Sequence, residues 1–100
     1  MAIEKFRRDL ENEFNHCCAA CGSSIAGLCI DHVITRKDGG KDVYENLQIL
    51  CYICNSEIKG EISTTRLPAR TKCNNESRVV NARREFRKWV HGFRKARRAA

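Results

Sequence analysis

Ile3, Phe6, Leu10 and Phe14 recur at steps of three and four, with charged residues between them, and this spacing predicts an amphipathic helix over residues 2–15. Small residues with Gly22 and Gly27 fill positions 17–27, which suits a tight knuckle followed by a turn. Leu28 to Ile34 is short and rich in β-branched residues, so a strand is expected there. Thr35 to Glu45 is polar and holds Asp38-Gly39-Gly40, a loop able to approach another group closely. Leu47 to Leu50 reads as a second strand, and Tyr52 to Lys59 as a helix with Gly60 at the C-cap position. Residues 61–74 show no period and contain Pro68, as a connector would. Val79, Ala82, Phe86, Val90 and Phe93 then share one face of a helix over residues 75–98, with Trp89 beside them and basic residues opposite.

A chain of 100 residues has the length of one domain, 1–100, and a domain this small gains from an added staple. Seven cysteines suggest its nature: an odd number cannot close into a full set of intrachain disulfides. The opening residues include Glu4, Lys5, Arg7 and Arg8 instead of the apolar run of a secretory signal. A cytoplasmic, reducing setting is therefore expected, with metal ligation favoured over a disulfide framework. No apolar run is long enough to cross a bilayer. Cys18/Cys21 and Cys51/Cys54 form two Cys-x-x-Cys pairs, a spacing that lets both sulfurs of a pair reach one structural Zn²⁺ with no position left for water. Cys17 could replace Cys18 in that set. Cys29 and Cys73 are expected to be packing residues or free thiols, and His16 a helix-end residue and not a ligand.

The formal charge is +7 and the pI about 9.3. Arg83, Arg84, Arg87, Lys88, Arg94, Lys95, Arg97 and Arg98 crowd the last quarter, where a phosphate backbone is the expected partner. Arg83 and Arg87 are candidate nucleic-acid contacts. Arg66, Arg70 and Lys72 in the connector are available for phosphates, and the tail from Arg94 to Ala100 is expected to fray.

An ordinary zinc ribbon separates its pairs by roughly 15–20 residues. Here Cys21 and Cys51 stand 30 positions apart, and the interval holds polar chemistry: Ile30-Asp31-His32-Val33, a Gly-Gly loop, then Asn46-Leu47-Gln48-Ile49-Leu50-Cys51. With Cys54-Asn55 and Lys59 following, residues 18–60 resemble the zinc-containing HNH endonucleases. The third position is Asn55, so the resemblance is to the His-Asn-Asn variant. An asparagine there can offer an amide oxygen to a hard cation but cannot act as acid or base.

The resemblance implies an α+β fold with a ββα-metal core, a structural zinc site of four cysteines and flanking N- and C-terminal helices. It also implies a divalent-metal-dependent DNA endonuclease, acting on double-stranded DNA and leaving a 5′-phosphate and a 3′-hydroxyl. His32 would be the general base, since a neutral imidazole can take a proton from water while its other ring nitrogen is oriented. Asp31 and Asn55 would hold one Mg²⁺ or Mn²⁺, which neutralises charge at the phosphate. Asn46 would brace the loop and position the histidine. Arg36, Lys37, Lys41 and Lys59 are candidates to steady the phosphate.

Neighbours on a strand point to opposite faces, so a shared site for Asp31 and His32 requires a bend or bulge there. One active site per protomer implies nicking by a monomer, with cleavage of both strands only in a weak homodimer formed through Trp89 or Phe93. The alternative reading is a non-catalytic zinc module that binds nucleic acid through its basic C-terminal helix.

Overall fold

The computed structural model describes residues 3–58 and 66–99, with side chains to residue 57 and over 66–92. A short 3₁₀ turn, Glu4–Phe6, leads into helix α1, Arg7–Glu13. Strand β1, Leu28–His32, pairs antiparallel with β2, Leu47–Cys51, and β2 runs straight into α2, Tyr52–Ile58. Helix α3 spans Glu76–Ala99. The expected Gly60 cap and residues 61–65 of the connector lie outside the described residues.

The N-terminal stripe packs as its spacing requires: Ile3, Leu10 and Phe14 are buried and Phe6 rests against the same core. The helix is shorter than expected because the chain reverses at Asn15 and His16, both left-handed with φ of 56° and 57°. Asparagine and histidine are among the non-glycine residues that tolerate this region best. The His16 amide closes the turn by donating to the Glu11 carbonyl at 2.8 Å.

All five residues of β2 are buried while those of β1 are half-buried. A lone hairpin is marginal in water. Here α1 and α2 both pack on β2, which is what lets two strands persist. Strand β1 ends two residues earlier than its composition suggests. Beyond His32 the Val33 amide still reaches the Asn46 carbonyl, but the Ile34 amide donates to the Asn46 side chain, so a side chain replaces the ladder.

Asn75 caps α3, its Oδ1 accepting from the Arg78 amide at 3.0 Å. Val79, Phe86 and Val90 are buried along the core face and Ala82 is half-buried. The Phe93 side chain lies outside the described residues. Trp89 is 44 % exposed and stacks on Phe86.

Two expectations are overturned. Cys73 is not a free or packing thiol: it forms a disulfide with Cys17, tying the connector to the end of α1. The seven cysteines thus divide between a four-thiol cluster able to hold a metal, one disulfide and the half-buried Cys29. Arg66 and Arg70, read as phosphate donors, are engaged inside the fold. Arg66 donates to the Leu47 carbonyl at 2.7 Å, forks onto Glu13 and lies over the Phe14 and Tyr44 rings. Arg70 donates to the Ala20 carbonyl at 2.6 Å.

The Arg66 fork holds the Glu13 carboxyl below its ordinary value of 4.5. A depressed carboxylate stabilises the fold at and above its unfolded pKa, and that contribution is lost as pH falls through the lower folded value. Urea midpoints should therefore drop on acidification below about pH 4.5, and the drop should be smaller in Glu13→Gln. Both groups are partly exposed, so the difference is modest.

Candidate functional site

The Cys18–Cys21 knuckle turns on Gly22, whose φ is 78° and whose amide donates to the Cys18 carbonyl at 2.8 Å. A Cβ at Gly22 would stand 2.6 Å from Asn74 Nδ2, which donates to the Cys21 carbonyl. The Ala19 amide fastens the knuckle to β2 through the Ile49 carbonyl. Cys51 closes β2 and Cys54 lies in the first turn of α2, so strand and helix deliver the second pair.

All four sulfurs lie within 4.8 Å of one another and are buried, with Cys21 and Cys51 Sγ 3.7 Å apart. A tetrahedral ion with Zn–S bonds of about 2.3 Å sets its sulfurs roughly 3.8 Å apart, so the donor set fits zinc. In each pair the first sulfur faces the backbone amide of the second: Cys21 N to Cys18 Sγ at 3.4 Å and Cys54 N to Cys51 Sγ at 3.5 Å. Hydrogen bonding from Cys18 pulls Cys21 down to about 6, and bonds from the other three pull Cys51 down, while Cys18 and Cys54 are pushed up as donors. Cys17, in its disulfide, is not one of the four.

Arg83 reaches this cluster from α3, its Nη2 standing 3.7 Å from Cys51 Sγ. Burial opposes its charge, but the Cys51 contact and the charges of Cys21 and Cys51 outweigh that and raise its pKa. Four thiolates around a dication carry a net charge of −2, which a guanidinium offsets. Arg87 pairs with Glu57 at 3.1 Å while its side chain stays 48 % exposed. Of the two arginines expected on DNA, Arg83 thus packs on the cysteine cluster and Arg87 remains at the surface with Arg78, Arg84 and Lys88.

The second group of residues surrounds the end of β1. The expected bulge is absent: pairing runs unbroken through Asp31↔Gln48 and His32↔Leu47. Asp31 accepts from Gln48 Nε2 at 2.9 Å, and burial raises its pKa against the opposing effects of Gln48 and His32. Gln48 is 2 % exposed and its Oε1 accepts from the Leu67 amide at 2.8 Å, so both ends of the amide are satisfied. His32 turns instead to Asp42, Nε2 to Oδ1 at 2.8 Å, and Arg36 grips the same carboxylate at 3.0 and 3.2 Å. Asp42 is held below the usual carboxylate range by Arg36 first and His32 second.

Asn46 ties the intervening loop together. Its Oδ1 accepts from the Ile34 amide at 2.9 Å, and its Nδ2 donates to the Ile34 and Lys41 carbonyls, each at 3.0 Å. Gly39 is left-handed with φ of 91°, and a Cβ on Gly40 would overlap the Ile34 carbonyl. Gly40→Ala should cost about 1–3 kcal/mol of stability, read by chemical denaturation, because backbone must move to admit the methyl.

Lys37 and Lys41 are exposed on this loop, and Asn55 is half-buried on α2, which packs against β1. Lys59 lies outside the described residues. Sequence reasoning missed Asp42, which has no periodic or motif signal of its own. Gln48 was legible in principle: a lone amide in the buried run Leu-Gln-Ile-Leu-Cys must find partners.

No curated protein and no solved structure matches the chain. A family model described as HNH endonuclease does match, over residues 18–61. That stretch contains both cysteine pairs, the two-stranded sheet, the Asn46-braced loop and α2, and over it the chain is similar to the HNH endonuclease family.

Proposed function

We propose that the domain is a divalent-metal-dependent endonuclease that hydrolyses DNA phosphodiester bonds, with His32 as general base. The observation that carries this reading is the placement of His32 at the end of β1. It is 15 % exposed and hydrogen-bonded through Nε2 to a carboxylate, beside Asp31 and within the matched domain. An ionised carboxylate can only accept, so Nε2 carries the proton and Nδ1 keeps its lone pair for a water.

Asp31 and Asn55 supply the oxygen donors suited to one Mg²⁺ or Mn²⁺. When bound, that cation stabilises negative charge at the phosphate and the leaving oxygen. Because Asp31 and His32 leave the regular strand on opposite faces, the phosphodiester lies across the free edge of β1. Gln48 fixes the Asp31 carboxylate, and Asn46 holds the loop that carries Lys37 and Lys41. The four cysteines bind one structural Zn²⁺. One site per protomer cuts one strand, so nicked circles precede linear DNA.

The test is supercoiled plasmid incubated with zinc-loaded protein and Mg²⁺ or Mn²⁺. Open circles with 5′-phosphate ends are expected, blocked by EDTA and restored by excess Mg²⁺. DNA retarded in a gel but never cut under either cation would overturn the reading in favour of a binding module.

A further inference from the structure

We propose that Asp42 is a positioning residue for His32, holding the imidazole through Nε2 so that Nδ1 faces the attacking water. The proposal rests on the endonuclease reading and deepens it.

Three features set this pair apart from an ordinary surface ion pair, which contributes little. First, the His32 side chain is largely covered, only 15 % exposed, unlike the partners of an ordinary surface pair. Second, the carboxylate is itself fixed. Arg36 Nε donates to Oδ1 and Nη2 to Oδ2, and Arg36 sits in a 3₁₀ turn capped by Thr35, whose Oγ1 accepts from the Asp38 amide and donates to Asp38 Oδ2. Third, the loop carrying Asp42 has little freedom. The Gly40 amide donates to the Thr35 carbonyl at 2.8 Å, and the Lys41 carbonyl, one residue before Asp42, accepts from Asn46 Nδ2. The chain thus builds a relay in which Asn46 fixes the loop, the loop and Arg36 fix Asp42, and Asp42 fixes the ring. Arg36, expected to steady a phosphate, is assigned to the carboxylate instead.

The two oxygens of Asp42 are not equivalent, and this gives the test its contrast. Among the described residues, Oδ1 receives two donors, His32 Nε2 and Arg36 Nε, and Oδ2 receives Arg36 Nη2. In Asp42→Asn the amide oxygen takes the two-donor position and the His32 bond survives. In Asp42→Ala it is lost.

The experiment pairs proton–nitrogen NMR of the His32 ring in water with plasmid nicking kinetics, on zinc-loaded wild type, Asp42→Asn and Asp42→Ala. An exchange-protected His32 Nε2–H resonance is expected in wild type and Asp42→Asn and absent in Asp42→Ala. In step with it, kcat should fall about 10–100-fold in Asp42→Ala with KM unchanged, and recover most of that loss in Asp42→Asn; the range is that of removing an orienting partner behind a ligating histidine. An unprotected Nε2 in wild type, or Asp42→Ala with unaltered kcat, overturns the proposal. A protected Nε2–H in a wild-type protein that cuts no DNA overturns the endonuclease reading instead.

Discussion

Replacing Cys51 with alanine should abolish the cooperative unfolding transition and remove the single zinc ion that the four-cysteine cluster is suited to hold. Cys51 is where the cluster's contacts converge: it ends β2, faces the Cys54 amide, neighbours Cys21 Sγ and is approached by Arg83. Structural zinc contributes roughly 10–16 kcal/mol of apparent binding free energy, all of it folding free energy when the unfolded chain has no site. A small domain has only about 5–15 kcal/mol of net stability, so the loss is comparable to all of it. The Cys17–Cys73 disulfide does not make up the difference. For residues 56 apart the chain-entropy account gives about 4 kcal/mol. Calorimetry and metal analysis on the variant, beside wild type treated with a zinc chelator, check the prediction. A melt unchanged by chelation would show that the cluster is four packed thiols.

On the proposed mechanism, His32→Ala should lower plasmid cleavage about 10²–10⁴-fold at saturating DNA, the usual range for a general base. At 1.36 kcal/mol per decade this corresponds to roughly 2.7–5.4 kcal/mol of transition-state stabilisation. DNA affinity should be unchanged, because His32 faces Asp42 and contributes no fixed positive charge to backbone binding. The fold should also hold, since the lost contact is a single hydrogen bond to a partly exposed partner. Gel retardation and turnover measured on one preparation separate the two effects. Equal cleavage by variant and wild type would remove His32 from the mechanism.

What could be read before folding was what repeats or what chemistry dictates locally. The Ile3, Leu10 and Phe14 stripe and the Val79, Phe86 and Val90 face follow from helical period, and both are buried. The cysteine pairs follow from ligand spacing, and the four sulfurs converge. What escaped depended on long-range closure. Nothing local marks Cys73 as the partner of Cys17, and Asp42 reaches His32 only because Asn46 folds the loop back. Among the C-terminal arginines, a basic run predicts affinity for phosphate, but nothing local tells that Arg83 also reaches the sulfur of Cys51. The bend expected between Asp31 and His32 came from requiring a shared face, whereas the strand stays regular through both.

Cys17 lies one residue before the matched domain and Cys73 lies twelve beyond it. Their bond therefore makes the matched core a covalent ring, with α1 and α3 as its two flanking arms. A single peptide-bond cut anywhere between the two cysteines opens the ring without releasing a fragment. Such a cut leaves the mass of the unreduced protein essentially unaltered, and only a reductant divides it in two. A cut in either arm instead frees its piece from all covalent attachment, so that denaturation alone separates it.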